Sequence, residues 1–496
     1  MVKQFAESAL LNSKKTGYEV VYKPTTNDPA DKDFQYLKPE QEGKKSDSAF
    51  LYFAVFIADL LGFAGGVGLS WTSPVIPKLQ SSESPLNAPI NVFHISLLGA
   101  LLAIGKAVGP FVFGHLADRI GRKKTLIAIS VPMLMGMVIF AFATDIRWYY
   151  LARLLYGMGI GGCSSILSVY IGEITEQHNR GKLGCVYTML LSLGILYPYS
   201  VGPFLSVRMF CLSCLIPILI FIIFFTIFVP ESPLYYLKVG RKEDAEKALR
   251  VLRNKSDHEI QREMLHFREF LDTNTGQSGS YLDLFKTRGL RRSLSIGVGL
   301  MIVIQCTGVG AVTSYMQNIF IASGSYIPPQ YATIIVGCVK FLIVFVTSYV
   351  VERVGRRMLL FSSALAITVP TGILGLYFFL KSCGFDMDCV SWLPVLCLMV
   401  YVVSFNFGLG PVIWIIIGEI FPPNMRATAS AFVNVVCYVG SFLVMFLYPI
   451  ISEYLGMAAA FWIFSCCCLA GSVFIYFVVP ETKGKSLAEI QVMLSD

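Results

Sequence analysis

Asp118-Arg119-Ile120-Gly121-Arg122-Lys123 returns 234 residues later as Glu352-Arg353-Val354-Gly355-Arg356-Arg357. Glu173 precedes Arg180 by seven residues, and Glu419 precedes Arg426 by seven. Val229-Pro230-Glu231-Ser232 returns as Val479-Pro480-Glu481-Thr482. Carboxylates and guanidinium groups at such spacings do electrostatic chemistry, because one Arg can hold a carboxylate on a neighbouring element through two parallel hydrogen bonds. No nucleophile and base, and no cluster of metal ligands, are assembled anywhere, so neither an enzyme nor a cofactor is expected. Asp118, Arg119, Arg122, Glu173, Arg180, Glu231, Glu352, Arg356, Arg357, Glu419, Arg426 and Glu481 are therefore expected to form a salt-bridge network. Pairs made between the two repeats would act as a gate; the plainer alternative is a set of topology anchors.

The elements that position these groups follow from composition. Of 496 residues, 55% are hydrophobic and 15% charged, against roughly a quarter charged in an ordinary soluble domain. Apolar runs of about 20 residues, the length that crosses a bilayer core, recur along most of the chain after residue 48. The pattern predicts an all-α membrane protein with twelve spans. These start near Ala49, Val92, Thr125, Trp148, Leu183, Val207, Ser293, Tyr331, Met358, Trp392, Thr428 and Met457. Of the 40 Lys and Arg residues, 33 then fall on one side, four on the other and three within spans. That asymmetry puts both termini and the 230–292 loop in the cytoplasm. The net charge of +8 is accounted for by this sidedness, and no nucleic-acid partner is expected. The first 48 residues lack an apolar core segment, so no signal peptide is expected.

The repeats divide the chain into a tail (1–48), a six-helix bundle (49–229), a loop with short helices (230–292), a second bundle (293–479) and a tail (480–496). Parallel six-helix repeats imply two bundles that rock around a site near the bilayer midplane. Most of the 13 cysteines lie in spans and read as small packing residues. Cys383 and Cys389 share an outer loop and could close a short disulfide. In the 230–292 loop, Arg241–Leu249 patterns as an amphipathic helix with Leu249 and Leu252 near its apolar face and a solvated charged face.

Charges inside spans need partners. Lys340 lies 11 residues before Val351, about 16 Å deep at 1.5 Å per residue. An ammonium at that depth costs on the order of 3 kcal/mol and is expected to meet a wet cavity or a carboxylate. Asp59, about 14 Å into span 1, matches Lys106 in depth and could neutralise it. Two readings of Lys340 stay open: a structural pair with Asp59, or a wall of a site for an acceptor-rich or anionic substrate. Asp59 has its own alternative, a displaced proton carrier.

Gly114-x-x-x-Asp118-Arg119-x-Gly121-Arg122-Lys123, Arg153-x-x-x-Gly157-x-Gly159, Tyr170-x-x-Glu173, Arg180-Gly181, Pro230-Glu231-Ser232-Pro233, Gly355-Arg356-Arg357, Gly410-Pro411-x-x-Trp414 and Pro480-Glu481-Thr482-Lys483-Gly484 occur in that order. As a set they resemble the sugar-porter branch of the major facilitator superfamily, over roughly residues 50–490. Trp71-Thr72-Ser73-Pro74 and Gly194-Ile195-Leu196 are most similar to its facilitated trehalose-transporter-like members. The resemblance implies twelve helices in two bundles and alternating-access movement of a sugar without a cofactor. Proton-linked members carry an acidic residue just after the Gly-aromatic pair of span 1; Ala64 follows Gly62-Phe63 here, which implies uniport.

The resemblance also implies the binding residues. Gln305 is the surviving member of the family's Gln pair in span 7, and Trp414 is the stacking platform. Thr188, Lys340 and Tyr438 stand where the family has amides or Trp, and Gly310 replaces an Asn. Asn318 and Asn406 are further polar candidates. A small-molecule site needs such a ring of a few fixed polar groups in apolar surroundings. The expected function is facilitative transport of a sugar or related solute by a monomer in the plasma membrane. The alternative is a carrier or transporter-like sensor for a non-sugar, anionic solute.

Overall fold

The computed structural model describes residues 19–21, 35–37, 48–82, 84–176, 178–274, 281–351, 354–422, 424–485 and 487–495. Twelve helices are long and apolar enough to cross a membrane: Ala49–Leu79, Val92–Ile120, Arg122–Phe142, Ile146–Ile174, Arg180–Val201, Val207–Phe228, Arg288–Ser323, Pro329–Thr347, Arg356–Ser382, Asp388–Ile420, Arg426–Tyr454 and Gly456–Val478. They are numbered spans 1 to 12 below. Outside them, Glu19–Val21 (β1) and Gln35–Leu37 (β2) pair antiparallel.

Several spans begin earlier than the apolar runs do, span 7 at Arg288 instead of Ser293. Its first turn is built from Arg288, Arg291 and Arg292. Long basic side chains extend a helix into the polar interface while their charges stay wet, so hydropathy under-reads such ends. Side chains cap the orphan N–H groups of other starts. Asn91 accepts from His94 N at 2.9 Å, Asp145 from Arg147 N at 2.9 Å and Thr287 from Leu290 N at 3.3 Å.

Spans 1–6 and 7–12 form two bundles. Between them span 2 lies against span 11, span 5 against span 8, and the end of span 1 against span 7. The side carrying the repeated charged motifs is termed the motif side, the opposite one the far side. Outward faces are apolar, as in span 8, where Leu342, Phe345 and Val346 are exposed.

Spans 7 and 10 are each broken. Span 7 divides into Arg288–Cys306 and Val309–Ser323 at Gly308, whose φ of +77° only glycine adopts cheaply. The Tyr401 hydroxyl donates to the Thr307 carbonyl at 3.0 Å, satisfying a group freed by the break. Span 10 divides into Leu393–Phe407 and Leu409–Ile420 at Gly408. There Ser363 of span 9 accepts from Leu409 N at 3.1 Å and donates to Ser404 O at 2.7 Å. Non-helical backbone at membrane depth is tolerated where neighbouring groups re-satisfy it in this way.

The connection between the bundles folds into Pro233–Lys238, Lys242–Leu252 and Asp257–Asn274. Leu249 and Leu252 are buried, with Ala245, Ile260 and Met264 completing a small core beside them. After span 12, Leu487–Ser495 forms a short helix against spans 7 and 10, burying Ile490 and Leu494. Cys383 and Cys389 are free thiols, not a disulfide.

Candidate functional site

The repeated motifs build the same device twice on the motif side. Gly121, at φ +97°, turns the chain from span 2 into span 3. The Glu231 carboxylate fits into that turn and accepts from the backbone N–H of Arg122 at 2.9 Å and of Lys123 at 2.9 and 3.0 Å. A carboxylate at a helix N-terminus satisfies orphan donors and complements the macrodipole. In the second bundle Glu481 accepts from Arg356 N at 2.9 Å and Arg357 N at 3.1 Å at the start of span 9. Partial burial would raise the Glu481 carboxyl, but the backbone N–H groups of Lys483, Arg356, Arg357 and Thr482 together hold it below its ordinary value. Glu231 and Glu481 are thus helix caps, so the expectation that they pair with arginine side chains is corrected.

The guanidinium groups freed from these carboxylates reach span ends. Arg122 grips Glu173 through Nε at 3.1 Å and Nη2 at 3.0 Å and donates to Ala117 O at 3.2 Å. Arg356 Nη2 lies 3.8 Å from Glu419, a looser copy of the same pair. In this looser copy Arg356 Nε, Glu419 Oε2 and Arg426 Nε are buried without a hydrogen-bond partner. Arg180 donates to Gly172 O at 2.9 Å. Arg119 offers its carbonyl to Tyr235, exposed Asp118 pairs with Lys238 at 3.1 Å, and Arg357 donates to Tyr476 O. Glu352 lies outside the described residues. The ion pairs of Arg122 with Glu173 and of Arg356 with Glu419 each stay within one bundle, and Asp118 pairs with Lys238 of the loop, so these groups do not make the pairs expected between the halves.

One group escaped the sequence reading. Arg253, 4% exposed, holds Glu176 at 3.2 Å, Glu263 at 2.9 Å and the span 4 carbonyl of Ile174 at 2.6 Å. Lys255 adds Glu176 at 3.1 Å. These residues clamp the loop helices to the first bundle. A charge-rich loop reads as a solvated face, and only a tertiary contact reveals a buried arginine in it.

The far side is closed by span 7. Its Val309–Ser323 segment has a kink at Tyr315, whose hydroxyl donates to Ile95 O of span 2 at 3.3 Å and Met445 O of span 11 at 3.2 Å. Ser314 donates to Leu69 O at 3.2 Å, Ser73 accepts from Gln317 N at 3.1 Å, and Tyr199 donates to Thr313 O at 2.6 Å. Four of these five bonds join the bundles at or above the level of Thr313, and the Tyr315–Met445 bond ties span 7 to span 11 within the second bundle. Asn318 belongs here too, donating to Gln80 at 3.4 Å. It is a far-side gate residue, which corrects its expected place on the binding ring.

Below that gate the interior polar groups meet within the second bundle and, at Tyr438, across the bundles. Gln305 of span 7 donates to Cys437 at 3.0 Å, and Tyr438 hydrogen-bonds Ser164 of span 4. Lys106 of span 2 places its ammonium 5.0 Å from the centre of the Tyr438 ring. Lys340 donates to Thr313 Oγ1 at 3.4 Å. Asp59 is fully enclosed and neither of its oxygens has a hydrogen-bond partner. The expected pairing of Asp59 with Lys106 or Lys340 is therefore absent; Cys163 and Tyr187 are its neighbours. Equal depth on two helices matched Asp59 to Lys106, but depth does not fix the face each side chain occupies.

Trp414 is 45% exposed. Thr188 is exposed on span 5, and Asn406 returns its amide to Val402 O at 2.8 Å within its own helix. Gln305, Tyr438 and Lys340 thus line the interior, Trp414 and Thr188 present open surface, and Asn406 is engaged locally.

A family model described as "Sugar (and other) transporter" matches residues 25–494. The facilitated trehalose transporter Tret1 of Bombyx mori is 34% identical over 447 residues, covering 89% of this chain and 86% of that protein. A facilitated trehalose transporter Tret1-2 homolog of Drosophila simulans is 32% identical over 470 residues, covering 93% and 94%. Among solved structures, the inward-open xylose transporter XylE from E. coli superposes with a TM-score of 0.74 at 24% identity, covering 89% of this chain and 99% of that one.

Proposed function

The chain belongs to the sugar (and other) transporter family, and from that premise we propose that it is a plasma-membrane uniporter that moves a sugar or related polyhydroxylated solute by alternating access. The motif side is cytoplasmic, since it carries most of the Lys and Arg. The conformation is then inward-facing. The observation that carries the reading is the asymmetry of the bonds between the bundles: hydrogen bonds from Tyr315 to Ile95 O, Ser314 to Leu69 O and Tyr199 to Thr313 O seal the far side, whereas the ion pairs of the repeated motifs stay within each bundle. Broken spans 7 and 10 supply the flexible segments such rocking needs. Closing the cytoplasmic side would bring the unpartnered Arg356, Glu419 and Arg426 atoms against the first bundle, giving the gate its outward-facing pairs.

Trehalose is the first sugar to test, because the relatives are named for it. Ala64 follows Gly62-Phe63 where proton-linked members carry an acidic residue, which supports uniport. In proteoliposomes holding the full chain, uptake of radiolabelled trehalose, D-glucose and acidic sugars is expected to saturate for at least one of them and to ignore a pH gradient. Uptake that follows the gradient and loses that response in Asp59→Asn would overturn uniport. Uptake no faster than in protein-free vesicles for every solute would overturn transport.

A further inference from the structure

Two ammonium groups in the interior lack a carboxylate to answer them. On span 8 the exposed face is Leu342, Phe345 and Val346; at about 100° per residue Lys340 lies some 200° around from Leu342, on the opposite face. On span 2 the exposed face runs through Ile104, Val108 and Phe111, and Lys106 likewise falls about 200° from Val108. Both lysines therefore point into the protein and away from lipid. Among the described residues Lys340 donates to the Thr313 hydroxyl, and Lys106 lies over the Tyr438 ring face beside Cys437. Asp59 is the one carboxylate in the body of a described span, and it bonds neither. The third interior cation, Arg153, is engaged structurally, donating to Leu98 O at 2.8 Å and Gly68 O at 2.9 Å. Among the described residues the body of the spans thus sets two lysines against no carboxylate that pairs with them.

Charges at membrane depth persist when something pairs with them, and an ion pathway is their usual setting. An ammonium has three donors and no acceptor, so it is a poor substitute for an amide that must both give and take hydrogen bonds with a neutral sugar. It is a good partner for an anionic oxygen. Gln305, Ser164, Tyr438 and Thr313 stand beside the two lysines as neutral groups suited to hydroxyls. We propose that the solute is a hydroxylated anion, a sugar bearing a carboxylate or phosphate, and that Lys340 and Lys106 select its charge. The proposal rests on the transport reading above and names its substrate class.

The test is uptake by full-length protein in liposomes with D-glucose, D-glucuronate and D-glucose 6-phosphate as probes. Wild type is expected to favour one of the two anions over glucose by about tenfold or more, the worth of a charge-assisted bond. Which anion wins separates carboxylate from phosphate. An inside-positive potential should speed anion uptake and leave glucose unchanged. Lys340→Gln should cut the anion preference about tenfold and raise the relative rate for glucose, while Lys340→Arg keeps the preference. Competition of each unlabelled probe against wild-type uptake gives the same ranking without a variant, should Lys340→Gln fail to fold. Glucose uptake with neither anion transported nor competing would overturn the proposal and leave the transport reading intact. No uptake of any probe by folded protein would overturn the transport reading itself.

Discussion

Tyr315 concentrates the far-side seal in one hydroxyl, shared between Ile95 O and Met445 O. Tyr315→Phe keeps the ring that stacks on Tyr448 at 5.5 Å and removes the one of these bonds that crosses between the bundles, to Ile95 O, worth about 1 kcal/mol. Amide hydrogen exchange over residues 309–323 is expected to rise roughly fivefold as the far side opens more often; unchanged exchange would show that the seal lies elsewhere. Glu481 supplies a pH test. Its folded carboxyl titrates below its unfolded value, so the cap stabilises fully above about pH 4.3 and is lost as the pH falls through the lower folded value. Wild-type protein should lose thermal stability on that descent more steeply than Glu481→Gln, measured by the unfolding temperature in detergent. At this scale the sequence was legible where a residue type has one use at membrane depth. Lys340 and Gln305 are part-buried and meet Thr313 and Cys437. Asn318 and Asp59 did not follow their expected roles, because which neighbour a side chain meets depends on the rotation and tilt of packed helices, and hydropathy carries neither.

Breaks and caps are where the elements show their purpose. At Gly408 an added Cβ would sit 2.3 Å from Leu359 O, so Gly408→Ala must push span 10 off span 9. A loss of about 1–3 kcal/mol is expected, read as a lower unfolding temperature together with slowed transport; an unchanged temperature would mean the break tolerates a side chain. Arg253→Ala should release the loop helices from the first bundle, seen as faster proteolysis within residues 242–274 while the spans stay protected. Gly408-x-Gly410-Pro411 interrupts an apolar run, the kind of punctuation that breaks a helix. The clamp was not legible in the sequence, since a buried arginine and a solvated one look alike until the carbonyl of Ile174 and the carboxylate of Glu263 are seen around it. The helix Leu487–Ser495 was hidden for the same reason: its apolar face is short, and only Ile490 and Leu494 packed against spans 7 and 10 reveal that it is docked.

The whole molecule is two copies of one plan, and that plan was the most legible feature of the chain. Three charged motifs recurring in order placed the bundles and their shared side, because each motif is held at a helix end by the backbone geometry it caps. The conformation was not legible: the same residues serve an inward- and an outward-facing protein, and the choice depends on small differences between large sets of contacts. The structure adopts the state in which Glu173 and Glu419 pair inside their own bundles and Tyr315 closes the other end. Alternating access makes this one of two states visited in every transport cycle. Counterflow tests that most directly. Proteoliposomes preloaded with an unlabelled solute and diluted into a trace of the same labelled solute are expected to accumulate label transiently above its equilibrium level, since a carrier that reorients exchanges one molecule for another. A rise that only approaches equilibrium, with no overshoot for trehalose, D-glucose or D-glucuronate in vesicles containing folded protein, would contradict the account.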